Sequence, residues 1–458
     1  MRGWAAAAMV VVAACGRGHR ERAHDGGGSA ADAAVVADAA VVADAAPVAD
    51  AAPVADAARV TVGAGFAQCS GPYPDFIVSA PFDYTGRTFK LSQDYPSALP
   101  PKRAPWEAID YSGAPLDYTS ALRAYVYDGM IAAQWRAEDN HAARWFHVPW
   151  MTSGRTPREP LYGMTLERPL AGPEIGLRPG VTVGDYAVGY YNDAAGYALG
   201  QAWTLPRANP TTFSFPPGAA VVKILFTDAQ PADFAGADPL AGAPTLTIWA
   251  PDRATKATGP LAVRLVQMDI AVRDDRAPGH WIFATYVYDP AAANPDPWQR
   301  MCPLGLQWGD DPTLDDAAYA AGARPKATWI NAAAPAYGLA HLGRDGRLAG
   351  PIDNVTSSCI SCHATAQFPS VAPTLPLVTC PAPWFRDLAP GVPFGTVDGR
   401  HCTLDPLAAG DLSLDLSLQM SVALQNANTK DAANPCLGLF PLEQPPTPPT
   451  RPTYAPTR

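Results

Sequence analysis

Tyr186-Ala187-Val188-Gly189-Tyr190-Tyr191 runs into Asn192-Asp193-Ala194-Ala195-Gly196 and then into Tyr197-Ala198-Leu199-Gly200-Gln201-Ala202-Trp203. Two apolar and aromatic runs about a segment of Asn, Asp and Gly predict a β-hairpin. Working outward, the runs Val221 to Phe226, Thr245 to Trp249, Leu261 to Val272 and Trp281 to Tyr288 are rich in Val, Ile, Thr and aromatics and are bounded by Pro, Gly and Asp. Short strands at this spacing predict a β-rich, sandwich-like body over 60–290, with Trp203, Trp249 and Trp281 filling its core.

Composition agrees with that reading. The chain of 458 residues carries 50 Pro and 38 Gly against 17% charged residues, a balance that favours turns over long helices. A formal charge of −10 repels phosphate backbones, so nucleic acid is excluded as a partner and basic or neutral proteins are favoured.

The N-terminus has one positive charge at Arg2 followed by an apolar run from Ala5 to Ala14, too short to span a bilayer. Residues 1–14 therefore read as a secretory signal. Its end, Val12-Ala13-Ala14-Cys15-Gly16, resembles the lipobox of bacterial lipoproteins, which implies acylation of Cys15 and a lipid anchor in a membrane. Asp32, Asp38, Asp44, Asp50 and Asp56 then recur among Ala, Val and Pro with a period of six, which matches neither helix nor strand. With little to bury, 15–59 reads as a disordered tether. The Pro-rich stretch 437–458 reads as a disordered tail.

The chemistry is concentrated at Cys359-Ile360-Ser361-Cys362-His363. Cys-x-x-Cys-His is the attachment signature of a c-type haem: two thiols spaced for two vinyl groups, and an adjacent His for the iron. A structural zinc site would want a second Cys or His pair at short spacing, and a thioredoxin-like dithiol a βαβ setting. Neither accompanies this motif, so 291–436 is expected to be an irregular or helical haem-binding region with one covalent haem. For the other face of the iron Met420 is the leading candidate, inside the alternation Leu412, Leu414, Leu416, Leu418, Met420, Val422, Leu424, which suits a strand although Leu416, Met420 and Ala423 would also share a helix face. His401 follows it, then His341, His147 and Met301. Of the other cysteines, Cys69, Cys302, Cys380, Cys402 and Cys436, the pair Cys380 and Cys402 is nearest in sequence.

Several stretches resemble a group of large monohaem bacterial proteins: Arg144-Trp145-Phe146-His147-Val148-Pro149-Trp150, Gly163 to Arg168, Leu265-Val266-Gln267-Met268-Asp269-Ile270-Ala271-Val272, and Gly346 to Asn354 ahead of the haem cysteines. The resemblance implies one integrated haem protein and names no reaction. The wider cytochrome c class is matched at Cys359, Cys362 and His363 alone.

These features predict a lipid-anchored envelope protein, periplasmic or outer-membrane associated, passing single electrons between redox partner proteins. The alternatives are a haem-dependent oxidoreductase, with the β-rich body as substrate domain, and a surface module that binds a ligand through aromatic side chains. Replacing the acylated thiol in Cys15→Ser is expected to release the protein from membranes. Detergent-phase partitioning measures this, and a variant that partitions like wild type places the anchor elsewhere.

Overall fold

The computed structural model describes residues 83–428 apart from 153–156, 204–209, 372–374 and 378, together with 75, 77–78 and 80–81. The expected signal, tether and tail, with Cys15, Cys69 and Cys436, lie outside the described residues. Among the described residues no helix is long and apolar enough to cross a membrane.

The β-rich expectation holds. Nine strands form one open antiparallel sheet: β1 (Trp145–Phe146), β2 (Thr165–Leu166), β3 (Asp185–Asn192), β4 (Ala220–Thr227), β5 (Thr245–Pro251), β6 (Thr258–Arg273), β7 (Trp281–Tyr288), β8 (Met301–Gln307) and β9 (Thr328–Ile330). Their order is β1-β3-β4-β6-β7-β8-β9, with β2 beside β3 and β5 beside the first half of β6. Among the described residues the other sheets have two strands each, and helices and loops cover this sheet where a sandwich would place a second one. β8 and β9 follow residue 290 yet continue the same sheet, so the haem motif follows the sheet without a break into a separate one.

Side chains alternate between the two faces with the strand period of two. Val222, Ile224 and Phe226, Met268, Ile270 and Val272, and Ile282, Ala284 and Tyr286 enter one core, whereas Tyr191, Val221, Ala271, Trp281 and Phe283 enter the other. β3 and β7 are buried along their whole length, as strands must be when both faces are covered. On the first face, α1 (Pro115–Tyr127) lays down Tyr118, Leu122 and Val126, every fourth residue and therefore one stripe. Tyr118 Oη donates to Asp274 Oδ2 at 2.8 Å, and Tyr286 Oη donates back to the Thr119 carbonyl at 2.6 Å. On the second face lie α2 (Asp193–Ala202), α3 (Cys359–Ala364) and α4 (Leu418–Asn428), through Ala195, Leu199, Ile360, Met420 and Leu424.

The expected hairpin is half right. Tyr186 to Tyr191 is strand, but Tyr197 to Ala202 belongs to the helix α2. Asn192 starts the helix in place of a turn, its Oδ1 accepting from Ala195 N at 3.0 Å, and the Ala and Leu residues that follow place 194, 195, 198, 199 and 202 on one buried face. In the alternating Leu stretch, only Leu412–Ser413 is strand, and Met420 lies on α4.

Asn192 is 2% exposed and uses all of its amide. Beyond the cap, Oδ1 accepts from Ala220 N at 3.0 Å, and Nδ2 donates to the Gly218 carbonyl and to Tyr125 Oη, each at 2.9 Å. Asn192→Ala strands these partners in the interior and is expected to cost roughly 2–4 kcal/mol. Urea unfolding measures it, and a loss below 1 kcal/mol, about that of an ordinary exposed cap, would show the network to be dispensable.

Candidate functional site

The motif sits on the second face of the sheet. Ser358 caps α3 through a reciprocal box: its Oγ accepts from Ser361 N at 3.0 Å, and Ser361 Oγ accepts from Ser358 N at 2.8 Å. The sheet itself finishes the cap. Gln307 Oε1, on β8, accepts from Ile360 N at 3.2 Å, and Ser358 Oγ donates to Asp310 Oδ1 at 2.6 Å. Arg347, fully buried, fixes the loop that carries Asp310, donating to the Asp310, Asp311 and Leu314 carbonyls and lying 4.1 Å over the Phe385 ring.

Helical spacing then turns Cys359, Cys362 and His363 toward one open cleft with about 1050 Å³ of empty space, its mouth included. The walls are Tyr191, Phe215, Val221, Trp281, Phe283 and Leu418, and the polar end holds Lys223, Asp269 and Asp353. Neither thiol is bonded to another sulfur. Burial pushes the Cys362 thiol up to about 12 and the Cys359 thiol well above its ordinary value, so both are neutral thiols. A redox dithiol reacts as the thiolate, which this apolar environment disfavours.

His363 Nδ1 lies 2.8 Å from the Leu416 carbonyl oxygen. A carbonyl only accepts, so Nδ1 carries the proton. The lone pair of a neutral ring is then on Nε2, the arrangement in which a second hydrogen bond orients a metal-binding imidazole. Burial lowers the pKa of this ring and keeps it neutral. Phe283 packs against it at 4.8 Å.

The Leu416 carbonyl is presented by a turn in which Asp415 (φ 51°) and Leu416 (φ 63°) both adopt the left-handed region, unfavourable for these residues. Asp415, buried, is what holds it there. Its Oδ1 accepts from Trp281 Nε1 at 2.9 Å, and its Oδ2 from Phe215 N at 2.8 Å and Arg273 at 2.9 Å.

The remaining candidates are elsewhere. Met420 packs in the second core with Ala423 and Leu424, and the cleft is lined by Leu418 and Gln419 instead. His401 is exposed and bonded to Asp398. His147 is buried beside Tyr190 with Nδ1 accepting from Ser92 N at 3.0 Å, and burial lowers its pKa well below the ordinary value. His341 Nε2 lies 2.9 Å from the Asp353 carbonyl, and Met301 is in the first core. Cys380 and Cys402 form a disulfide, while Cys302 is buried in β8. Trp203 and Trp281 are buried and Trp249 is partly buried. Lys223, Asp269, Gln307, Asp310, Asp353 and Asp415 were not picked out from sequence as site residues.

Comparison with known protein families, with curated proteins and with solved structures found no match to this chain.

Asp310 is fully buried beneath the cap, and burial raises its carboxyl to about 7. The folded state therefore binds this proton up to about pH 7, whereas an unfolded Asp releases it near pH 4. Stability falls as pH rises through that window, by up to about 1.4 kcal/mol per pH unit. Asp310→Asn, neutral throughout, is expected to flatten this part of the profile in urea titrations between those two values. An unchanged slope would assign the proton to another group.

Proposed function

We propose that this chain is a c-type haem protein of the cell envelope, tethered through an acylated Cys15, that passes single electrons between redox partner proteins. The observation that carries the reading is the convergence of two neutral thiols and a neutral imidazole, with Nε2 available, on one apolar cleft. Cys359 and Cys362 would hold the haem by thioether bonds and His363 would ligate its iron, with the haem-binding region docked on the sheet. When bound, haem supplies a centre that accepts and returns one electron. The Leu416 carbonyl sets the tautomer and direction of His363, and Phe215, Trp281 and Phe283 exclude water from that side of the cleft. Apolar walls of this kind suit a flat, largely apolar macrocycle.

One observation favours the alternative of a haem-dependent oxidoreductase acting on a small molecule. His363 is the single His or Met among the described residues that line the cleft, and Met420 is packed away from it. Under this reading the iron would take a small-molecule substrate in place of a second protein ligand. Under the carrier reading, Met420 would have to leave its core to become that ligand.

Protein made with its haem-maturation machinery is expected to retain peroxidase staining on a denaturing gel, and Cys359→Ala with Cys362→Ala to lose it. An unstained wild type sinks the haem reading. Absorption and magnetic circular dichroism spectra of the stained protein separate the two roles. A low-spin ferric form with a methionine-sulfur charge-transfer band identifies the carrier, and a high-spin ferric form the enzyme.

A further inference from the structure

The polar end of the cleft is built across neighbouring strands. Lys223 on β4 stands opposite Asp269 on β6, which stands opposite Thr285 on β7. Gln267, two residues before Asp269 and fully buried, reaches two carboxylates with one amide nitrogen: Nε2 donates to Asp269 Oδ2 at 2.7 Å and to Asp353 Oδ2 at 3.0 Å. Its Oε1 accepts from Ile352 N at 3.3 Å, which fixes the direction of the amide. Thr285 Oγ1 donates to Asp269 Oδ1 at 2.7 Å, and Gly350 N donates to Asp353 Oδ2 at 2.7 Å. Gly350 allows this approach, because a Cβ there would lie 2.1 Å from Gln267 Oε1.

The cations nearest the pair are shared with other groups: Lys223 faces Asp269 across the strands, and Arg168 donates to the Asp353 carbonyl at 3.0 Å while pairing with Glu174, with the His341 ring nitrogen 2.9 Å from the same carbonyl. Lys223 Nζ lies 3.2 Å from Glu167 Oε2. Burial works to raise the Glu167 carboxyl, but Lys223 and Thr165 outweigh it and leave the value lowered, so the two form an ion pair. Asp185, on β3, is raised well above its ordinary value by burial and then by Glu167. From α3, Cys359 and Cys362 face the pair as neutral thiols and His363 as a neutral ring. From the opposite wall Asp415 is spent on Arg273 and Trp281.

We propose that Asp269, held by Gln267 and Thr285 beside Asp353, takes up one proton from solvent each time the bound haem gains an electron and releases it on oxidation. This rests on the haem reading above. The electron comes from a one-electron donor protein and the proton from water, so the net charge of the site is conserved through the cycle. Burial, then repulsion from Asp353, raises the Asp269 carboxyl to about 7. An added electron in the same cleft raises its proton affinity further, and removing that electron lowers it. Between the two values, reduction consumes a proton and becomes harder as pH rises.

The test is spectroelectrochemical titration of the haem-loaded protein across about pH 5 to 9, with the denaturing-gel stain run on the same sample. The reduced-to-oxidised ratio at fixed potential should fall toward tenfold per pH unit above neutrality, which is about 59 mV per unit. Redox-difference infrared spectra should show a carboxylic acid carbonyl band gained on reduction. Asp269→Asn should abolish both the slope and the band, and Asp353→Asn, should the first variant not fold, should reduce the slope. A stained protein with a pH-independent potential overturns the proton coupling and leaves the haem reading standing. A slope that survives in both variants also overturns it. Absence of the stain overturns both.

Discussion

A broad antiparallel sheet with apolar side chains on both faces cannot leave either face in water, and the remainder of this molecule is organised by that requirement. One face is closed early in the chain by α1 and its stripe of Tyr118, Leu122 and Val126. The other is closed by pieces from three places: α2, the segment around α3, and the final stretch through α4. Burying a large apolar side chain is worth about 1.5–3 kcal/mol, so Trp281, Phe283 and Met420 alone give this second face a substantial reason to be covered. The cover leaves a gap beside Val221 and Lys223, which are partly exposed, and that gap, walled by Tyr191 and Phe283, is the cleft.

The polar groups at this face follow from the same geometry. A buried helix end must have partners for its backbone groups, and α3 finds them in the Ser358 hydroxyl and in Gln307 on β8, while Asp310, on the loop beyond β8, holds that hydroxyl. The turn at Asp415 and Leu416 is unfavourable by itself and is held by bonds from Trp281, Phe215 and Arg273. Cap and turn together fix both ends of the His363 environment, one through its helix and one through its ring nitrogen. The orientation of that imidazole is thus set by the packing of the whole face.

Much of this was legible in the sequence, and what was not has definite physical causes. The strands at 221–226, 261–272 and 281–288 announced themselves through β-branched and aromatic residues, and all three are central to the sheet. The Cys380 and Cys402 pair was visible from proximity. The helix α2 was misread because Tyr197, Leu199 and Trp203 look like strand residues, while the cap at Asn192 also fits a turn. The left-handed turn at Asp415 carries no Gly to advertise it. Lys223 did leave a signal, since it is a charge in the middle of an otherwise apolar strand and such residues seldom occur in strand interiors without a partner, whereas Asp269 shares β6 with Arg264, Gln267 and Arg273 and stands out less. Their pairing across β4 and β6 could be recognised only once the register was known.

The parts of the cleft also occur in a definite order along the chain. The sheet that forms its floor is complete at Ile330, the cysteines and His363 follow, and the covering stretch from Leu412 to Asn428 comes last. A chain emerging from its N-terminus onward, whether from a ribosome or through a translocation pore, therefore presents an open trough before the strap that closes it is available. Vectorial emergence by itself thus orders the floor of the cleft before its last wall. Once the strap docks, Leu416 and Leu418 form that wall, and the cleft still opens to solvent.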